Sequence, residues 1–202
     1  MPTEVVLFDV GGVLVELGGV DHFGQMIGHG DEAEIWRRWL HSPWVRRYER
    51  GRCTRREFAE GMVEENALSI TPDAFLEAFL SWPLGLLAGA EALVSGLQAD
   101  LQTSCLSNSN EAHWHEQRDC DRLKALFPDP FLSFELDLIK PDREIFEHVV
   151  ETYGCSADRI LFFDDNVINV EGARAVGLDA QLVGGPGAAR DILHERGLLK
   201  AT

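Results

Sequence analysis

The chain has 202 residues, 45 % hydrophobic and 26 % charged, an ordinary composition for a globular protein with one core, or one core plus a smaller insert. Its 34 acidic and 18 basic side chains give a formal net charge of −16 at pH 7. This charge argues against nucleic acid and anionic membranes as partners, because their phosphates would be repelled, and an anionic ligand would need a local positive charge such as a metal ion.

The cysteines and the N-terminal segment predict a cytoplasmic protein. The four cysteines are far apart and form no C-x-x-C pair, which is typical of free thiols in a reducing compartment. The segment from Met1 to Glu4 has no basic residue, and Asp9 interrupts the apolar run from Val5 to Val15, so we expect neither a signal peptide nor a membrane span. The sequence leaves a monomer and a homodimer open.

Four short apolar segments predict buried strands of a parallel sheet. They are Val5–Phe8, Thr103–Leu106, Ile160–Phe163 and Ala180–Val183. Apolar residues also recur at helical spacing, most clearly from Ile145 to Tyr153 and from Val167 to Val176. Strands that alternate with helices predict an α/β fold with a doubly wound, Rossmann-like parallel sheet as its core.

The stretch after the first predicted strand has a different pattern. Four of the five tryptophans lie between residues 17 and 87, at helix-like spacings and with no convincing strand. We therefore predict a helical cap at residues 17–87 and an α/β core formed by residues 1–16 and 88–202. Glu49–Arg52, between two helical patterns, is predicted to be either a cap loop that overhangs a pocket or exposed surface.

Polar side chains follow the predicted strands, at the sheet edge where open parallel sheets bind their ligands. A lysine directly before a predicted helix reaches the same edge. The six residues expected to meet there are Asp9, Ser107, Asn108, Lys140, Asp164 and Asp165.

This set of side chains suits phosphoryl transfer through an aspartyl-phosphate. Asp9 is the candidate nucleophile. A Mg²⁺ held by Asp9 and the pair Asp164–Asp165 would screen the repulsion between this carboxylate and a phosphate. Lys140 would neutralise phosphoryl oxygens and keep Asp9 ionised, and Ser107 and Asn108 are expected to contact the substrate together with Lys140.

Four segments carry a resemblance to a known family. They are Phe8–Val13, Leu106–Asn110, Ile139–Pro141 and Phe162–Asn166. In this order they resemble the four motifs of the haloacid dehalogenase superfamily, and the predicted cap resembles the one that this family inserts between its first and second motifs. The second and fourth segments are most similar to bacterial sugar-phosphate phosphatases, notably the α-D-glucose-1-phosphate phosphatase group.

The resemblance implies a Mg²⁺-dependent phosphomonoester hydrolase that acts on a small phosphorylated metabolite, such as a sugar 1-phosphate. It implies that Asp9 is the nucleophile and that Mg²⁺ binds the Asp9 carboxylate, the backbone carbonyl of Gly11 and Asp165, with Asp164 beside it. Asn169 stands where many relatives have an acidic residue that contacts a metal-bound water.

One departure from the family pattern concerns the proton for the leaving group. Family phosphatases usually carry a second Asp two residues after the nucleophile as general acid, where this chain has Gly11. Loss of a general acid typically costs ~10²–10⁴ in rate. We hypothesise that the natural leaving group is comparatively acidic, as in a sugar 1-phosphate, for which similar phosphatases with Gly at this place are a precedent. Otherwise another group donates the proton, and His113 is a candidate.

Other functions are compatible with parts of the pattern. A 2-haloacid dehalogenase uses the same kind of aspartate but needs no metal, which leaves Asp164–Asp165 without a role. A catalytically weak member would bind phosphate and Mg²⁺ without turnover. A phosphorylated receiver domain has its acidic pair before the phosphoacceptor, the reverse of the order found here.

Overall fold

The first part of the chain forms a short strand pair and a series of helices. The structure is a computed structural model that describes residues 2–28 and 30–200. Strand β1 (Val5–Phe8) is followed by β2 (Val15–Leu17). The helices that come next are α1 (Gly19–Ile27), α2 (Glu32–His41), α3 (Pro43–Tyr48), α4 (Arg55–Glu65) and α5 (Pro72–Leu80).

The rest of the chain alternates between strands and helices. Strand β3 (Pro83–Leu86) pairs antiparallel with β2 and leads into this part. Its strands are β4 (Gln102–Ser107), β5 (Phe131–Leu132), β6 (Ile160–Asp164) and β7 (Asp179–Leu182). Its helices are α6 (Ala90–Ser95), α7 (Glu111–Glu116), α8 (Cys120–Leu126), α9 (Ser133–Leu136), α10 (Arg143–Tyr153), α11 (Val167–Val176) and α12 (Pro186–Glu195), with a 3₁₀ turn at Ala157–Arg159.

Five strands form one parallel sheet in the order β5-β4-β1-β6-β7. The central strand β1 aligns Phe8 with Cys105 of β4 and with Phe163 of β6, so the residues that follow all three strands emerge side by side. The order extends from β1 in both directions and confirms the predicted doubly wound α/β fold. All four predicted strands are present, with β7 displaced by one residue from its predicted bounds.

The sheet is buried on both faces, which explains why its strands are apolar throughout. Val6 and Phe8 join one hydrophobic cluster, and Val5 and Leu7 join another on the opposite face. Each face is covered by helices, so alternate residues of a strand bury equally well. No described helix is long and apolar enough to cross a bilayer.

Helices α1–α5 form their own hydrophobic cluster, built mainly from aromatic rings. Trp39, for example, contacts Phe23, Phe58, Phe79 and Trp82 at centroid distances of 5.0–6.3 Å. Side-chain caps set several helix starts, including a reciprocal capping box between Thr54 and Glu57 at α4. The predicted boundaries of the cap and the core stay a prediction.

The expectation of no strand between residues 17 and 87 was wrong. Strand β3 lies within this stretch, and β2 ends at its first residue. Strand β2 was missed because it has only three residues, whereas β3 contains Pro83 and Gly85, which disfavour strands. Strand β5, with two residues, was missed for the same reason of length.

Candidate active site

Three acidic side chains meet at the carboxyl ends of the two neighbouring strands β1 and β6. Asp9 follows β1, Asp164 ends β6, and Asp165 comes next. One carboxylate oxygen from each residue lies within 4.8 Å of the others. The spatial convergence predicted from the strand ends is therefore present in the structure.

Lys140 joins two of these carboxylates from a buried position. Its Nζ lies 2.9 Å from Asp9 Oδ1 and 2.7 Å from Asp164 Oδ2. Burial opposes the charged ammonium, but Asp164 and Asp9 outweigh that cost and raise the pKa of Lys140 above its ordinary value. Lys140 is therefore a fixed cation, and with three N–H donors it retains one beyond these two bonds.

Asp9 is the most perturbed carboxyl group of the site. Burial raises its pKa to about 8, Lys140 opposes the shift, and Asp164 and Asp165 add to it. Its Oδ1 accepts bonds from both Lys140 and the Val10 backbone N–H, the latter at 2.7 Å. The cluster thus holds more negative charge than one ammonium can neutralise.

Asp164 is surrounded by donors. Its two oxygens accept bonds from Lys140, from the Asn166 backbone N–H at 2.8 Å and from Asn169 Nδ2 at 3.1 Å to each oxygen. A carboxylate has about four acceptor positions, so this shell fills them. The arrangement favours a role for Asp164 in holding Lys140, and its predicted metal-ligand role stays a prediction.

Asn108 holds the backbone of Lys140 at both polar atoms. Its Nδ2 donates to the Lys140 carbonyl and its Oδ1 accepts from the Lys140 N–H, both at 2.9 Å. The sequence predicted Asn108 as a substrate contact and did not reveal this pairing, because the two residues are 32 positions apart. The predicted substrate contact is untested by the structure, but the side chain has a positioning role.

Ser107 and Gly11 line the cavity above Asp9. The shortest hydrogen bond of the Ser107 hydroxyl goes to the Asn108 carbonyl at 3.5 Å, which is weak, so the group retains capacity for a ligand. A side chain at Gly11 would meet Leu17, whose Cδ1 lies 2.6 Å from the position of an added Cβ. Leu17 therefore fills the space into which an acid at position 11 would project.

The residues present fit a Mg²⁺ ion. When all three are ionised, the carboxylates carry two more negative charges than the one ammonium neutralises, and carboxylate and carbonyl oxygens are the ligands that Mg²⁺ prefers. Gly12, at φ +68°, allows the turn to approach so closely that an added Cβ would lie 1.9 Å from Asp165 Oδ2. Asn169 Oδ1 is buried with no partner among the described residues and would suit a water of the ion's hydration shell.

The cavity over this cluster has two chemically different halves. Its floor is polar and comes from the sheet edge, whereas its walls come mostly from helices α1, α2 and α5 and the segments next to them. These walls are apolar and largely aromatic: Phe23, Trp36, Trp39, Leu40, Phe79 and Trp82. Glu49, at the end of α3, is the one carboxyl group among the wall residues from this helical part of the described chain.

His113 lies in the cavity wall but does not offer a proton to it. Its Nε2 is 2.8 Å from the Phe79 carbonyl, which can only accept, so the ring carries its hydrogen there. Burial lowers the pKa of His113 to about 4, so the ring is neutral at physiological pH. The sequence hypothesis that His113 donates the leaving-group proton is not supported.

The predicted loop Glu49–Arg52 contacts the sheet part of the molecule through its arginines. Arg50 and the preceding Arg46 both bond to Asp142, each at 2.6 Å, and Arg52 bonds to Asp137 at 2.6 Å. These arginines are therefore engaged in ion pairs, and it is Glu49 that lines the cavity.

A family profile and two known phosphatases match parts of this chain. A profile described as haloacid dehalogenase-like hydrolase matches residues 3–177. A sesquiterpene phosphatase of Aspergillus oryzae is 34 % identical over 73 residues, which are 36 % of this chain and 37 % of that protein. A phosphatase of Mycobacterium tuberculosis is 44 % identical over 72 residues, 36 % of this chain and 33 % of that protein. The match spans about a third of the length of each.

A solved structure shows the same fold. A HAD family enzyme from Bacteroides thetaiotaomicron superposes with a TM-score of 0.72 at 24 % identity, covering 96 % of this chain and 98 % of that chain. The same enzyme in complex with magnesium and inorganic phosphate superposes with a TM-score of 0.68 at 24 % identity, covering 89 % and 93 %.

Replacing Asn108 tests its positioning role. We expect Asn108→Ala to lower the free energy of unfolding by about 2–4 kcal/mol, because both backbone polar groups of Lys140 lose their partner. Asn66→Ala is the matched control, since Asn66 makes one such bond, to the Met62 carbonyl, and should lose only about 1 kcal/mol. Equal losses in urea unfolding would contradict the assignment.

Substitution of Gly12 tests whether a cation binds beside Asp165. Gly12→Ala and Gly28→Ala place alanine at nearly the same positive φ, +68° and +66°, but nothing lies within 4 Å of an added Cβ at Gly28. Both should lose ~1–2 kcal/mol from backbone strain. Only Gly12→Ala should also reduce the rise in Tm that Mg²⁺ produces, and an unchanged rise would argue against a cation beside Asp165.

Proposed function

The chain belongs to the haloacid dehalogenase-like hydrolases, and we propose that it is a Mg²⁺-dependent phosphomonoester hydrolase that acts through phosphorylated Asp9. The carboxylates of Asp9, Asp164 and Asp165 within 4.8 Å of one another, with Lys140 between two of them, are the observation that carries the proposal. The phosphatase names of two relatives and the magnesium and phosphate complex of a similar enzyme support it.

Asp9 is proposed to attack phosphorus with Oδ2. Lys140 and the Val10 N–H both bind Oδ1, which fixes the carboxylate and orients its second oxygen. The bond from Asp9 to phosphorus forms as the bond from phosphorus to the leaving oxygen breaks. Water then attacks the same phosphorus atom and restores the Asp9 carboxylate.

Asp9, Asp165 and the Gly11 carbonyl are the groups we assign to Mg²⁺. When bound, the ion offsets the charge of these carboxylates and of the phosphoryl oxygens. Asp164 is assigned to Lys140, because Asp164 already accepts four hydrogen bonds.

Lys140 and Ser107 are proposed to bind the phosphoryl oxygens. The Lys140 ammonium has a third N–H beyond its bonds to Asp9 and Asp164. The same two carboxylates keep the ammonium charged. The Ser107 hydroxyl lines the cavity and has no strong competing bond. Both donate to oxygens on which charge develops during transfer.

The proposed substrate is a small phosphorylated metabolite, held in a cavity of about 140 Å³. A sugar 1-phosphate is the substrate that the sequence favours if the leaving oxygen departs without a general acid, since an anomeric oxygen leaves more readily and Gly11 supplies no acid. The cytoplasmic location and the monomer or homodimer also remain proposals.

A second substrate class is supported by the walls of the cavity. The aromatic side chains of Phe23, Trp36, Trp39, Phe79 and Trp82 offer few polar groups to sugar hydroxyls. They suit the monophosphate of an apolar alcohol, whose chain is stabilised by burial against them. One matched relative is named a sesquiterpene phosphatase.

Asp9→Asn and removal of metal test the chemistry. Hydrolysis of 4-nitrophenyl phosphate should fall by ~10⁴-fold or more in Asp9→Asn, because the nucleophile is lost. EDTA should abolish the wild-type rate, and added Mg²⁺ should restore it. Dechlorination of 2-chloropropionate that resists EDTA would instead support the dehalogenase, and phosphate binding without turnover would support the catalytically weak member.

A substrate panel separates the two leaving-group classes. We compare kcat/KM for glucose 1-phosphate, glucose 6-phosphate and geranyl monophosphate with Mg²⁺ present. Preference for glucose 1-phosphate supports the sugar class, and preference for the geranyl ester supports the apolar class. If glucose 6-phosphate is hydrolysed as fast as glucose 1-phosphate, the acidic-leaving-group explanation of Gly11 is wrong.

A further inference from the structure

The proposed attack by Asp9 sets the direction in which a proton must arrive. In a phosphoryl transfer the attacking and leaving oxygens lie roughly in line on opposite sides of phosphorus. Asp9 is on the floor of the cavity, at the sheet edge, so the leaving oxygen points away from the sheet toward the helical walls. A group that protonates this oxygen must reach that side of phosphorus.

Two groups considered from the sequence do not supply the proton. Position 11 is a glycine, and Leu17 occupies the space beside it. His113 directs its Nε2 at the Phe79 carbonyl at 2.8 Å and stacks on the Phe79 ring at 4.1 Å. Neither position offers a proton to the cavity.

Glu49 remains, and the structure holds it beside the Lys140 segment. Glu49 is the C-cap residue of helix α3 and is buried, with 9 % of its surface exposed, in the lining of the same cavity as Asp9. Arg46 and Arg50, on either side of it in the chain, both bond at 2.6 Å to Asp142, two residues after Lys140. These two ion pairs fix the end of α3 over the site.

We propose that Glu49 is the general acid of this enzyme and donates its proton to the leaving oxygen. The inference rests on the proposed phosphatase function. As Asp9 bonds to phosphorus, the electron pair of the breaking P–O bond goes to the leaving oxygen, which takes the Glu49 proton and departs as the alcohol. Glu49, now a carboxylate, accepts a proton from the water that hydrolyses the Asp9 phosphate and is restored.

The surroundings of Glu49 suit this cycle. Burial raises its pKa to about 7, while a hydrogen bond from Trp39 and the charges of Lys140 and Arg46 oppose the shift. A general acid acts best with a pKa near the working pH. The acid is needed in its protonated form, so the rate that depends on it is present below about pH 7 and falls as pH rises above that value.

The test compares esters that do and do not need a proton. Glu49→Gln should lower kcat for an alkyl phosphate such as butyl phosphate by ~10²–10⁴-fold, and kcat for 4-nitrophenyl phosphate, whose phenolate leaves unaided, by less than ~10-fold. The decline of the alkyl-ester rate above pH 7 should disappear in this variant, and Glu49→Asp should retain a decline. Glu60→Gln, an exposed partner of Arg56 on α4, is the matched control and should leave both rates unchanged.

The possible results separate the role of Glu49 from the phosphatase function. Equal losses on the two esters, or an alkaline decline that survives in Glu49→Gln, overturn Glu49 as the acid while the phosphatase stands. A wild-type chain that hydrolyses neither ester, with Mg²⁺ present, overturns the proposed function and this inference with it. Activity on 4-nitrophenyl phosphate also reports that the Glu49→Gln protein is folded.

Discussion

The ion pairs of Lys140 with Asp9 and Asp164 are the interaction on which the site depends. Asp9 follows β1, Asp164 ends the adjacent strand β6, and Lys140 comes from another loop. All three residues are buried. Removal of one partner from a buried pair typically costs ~3–5 kcal/mol, because the other charge is left uncompensated. The sheet therefore has to form in its native order for these charges to be tolerated at all.

The carboxylates of the site carry more negative charge than the Lys140 ammonium neutralises, which favours the binding of a cation. One ammonium faces three carboxylates, and the pKa of Asp9 is raised to about 8 by burial and by its acidic neighbours. The Mg²⁺ ion that we propose would offset this excess negative charge. The helical part adds what the sheet edge lacks: the apolar walls of the cavity, and Glu49, which we propose as the general acid.

Much of this site could be predicted from the sequence, because strand order fixes where strand-end residues lie. Asp9, Ser107 and the pair Asp164–Asp165 follow apolar strands of one parallel sheet, and their convergence needs no knowledge of side-chain directions. The fold class followed from the same alternation of strands and helices. The pairing of Asn108 with the Lys140 backbone did not, because it depends on how two loops far apart in the chain pack together.

The helical part was harder to predict for related physical reasons. Its helices were recognisable from aromatic spacing, but β2 was missed because it has only three residues, and β3 because it contains Pro83 and Gly85. The sequence predicts Glu49 only as part of a segment that either overhangs a pocket or is exposed, and its direction becomes clear only once Arg46 and Arg50 are seen to bond to Asp142. The residues on the floor of the cavity could thus be identified from their positions in the sequence, whereas those of its walls depend on tertiary contacts.

The most direct test of the account is to look for the phosphate on Asp9 itself. The protein is mixed with Mg²⁺ and 4-nitrophenyl phosphate, quenched in acid within the first turnover, digested and examined by mass spectrometry. We predict phosphorylation of the peptide that contains Asp9, dependent on Mg²⁺ and decaying as inorganic phosphate appears. Release of phosphate with no phosphorylated intermediate, or with the phosphoryl group on another residue, would contradict it.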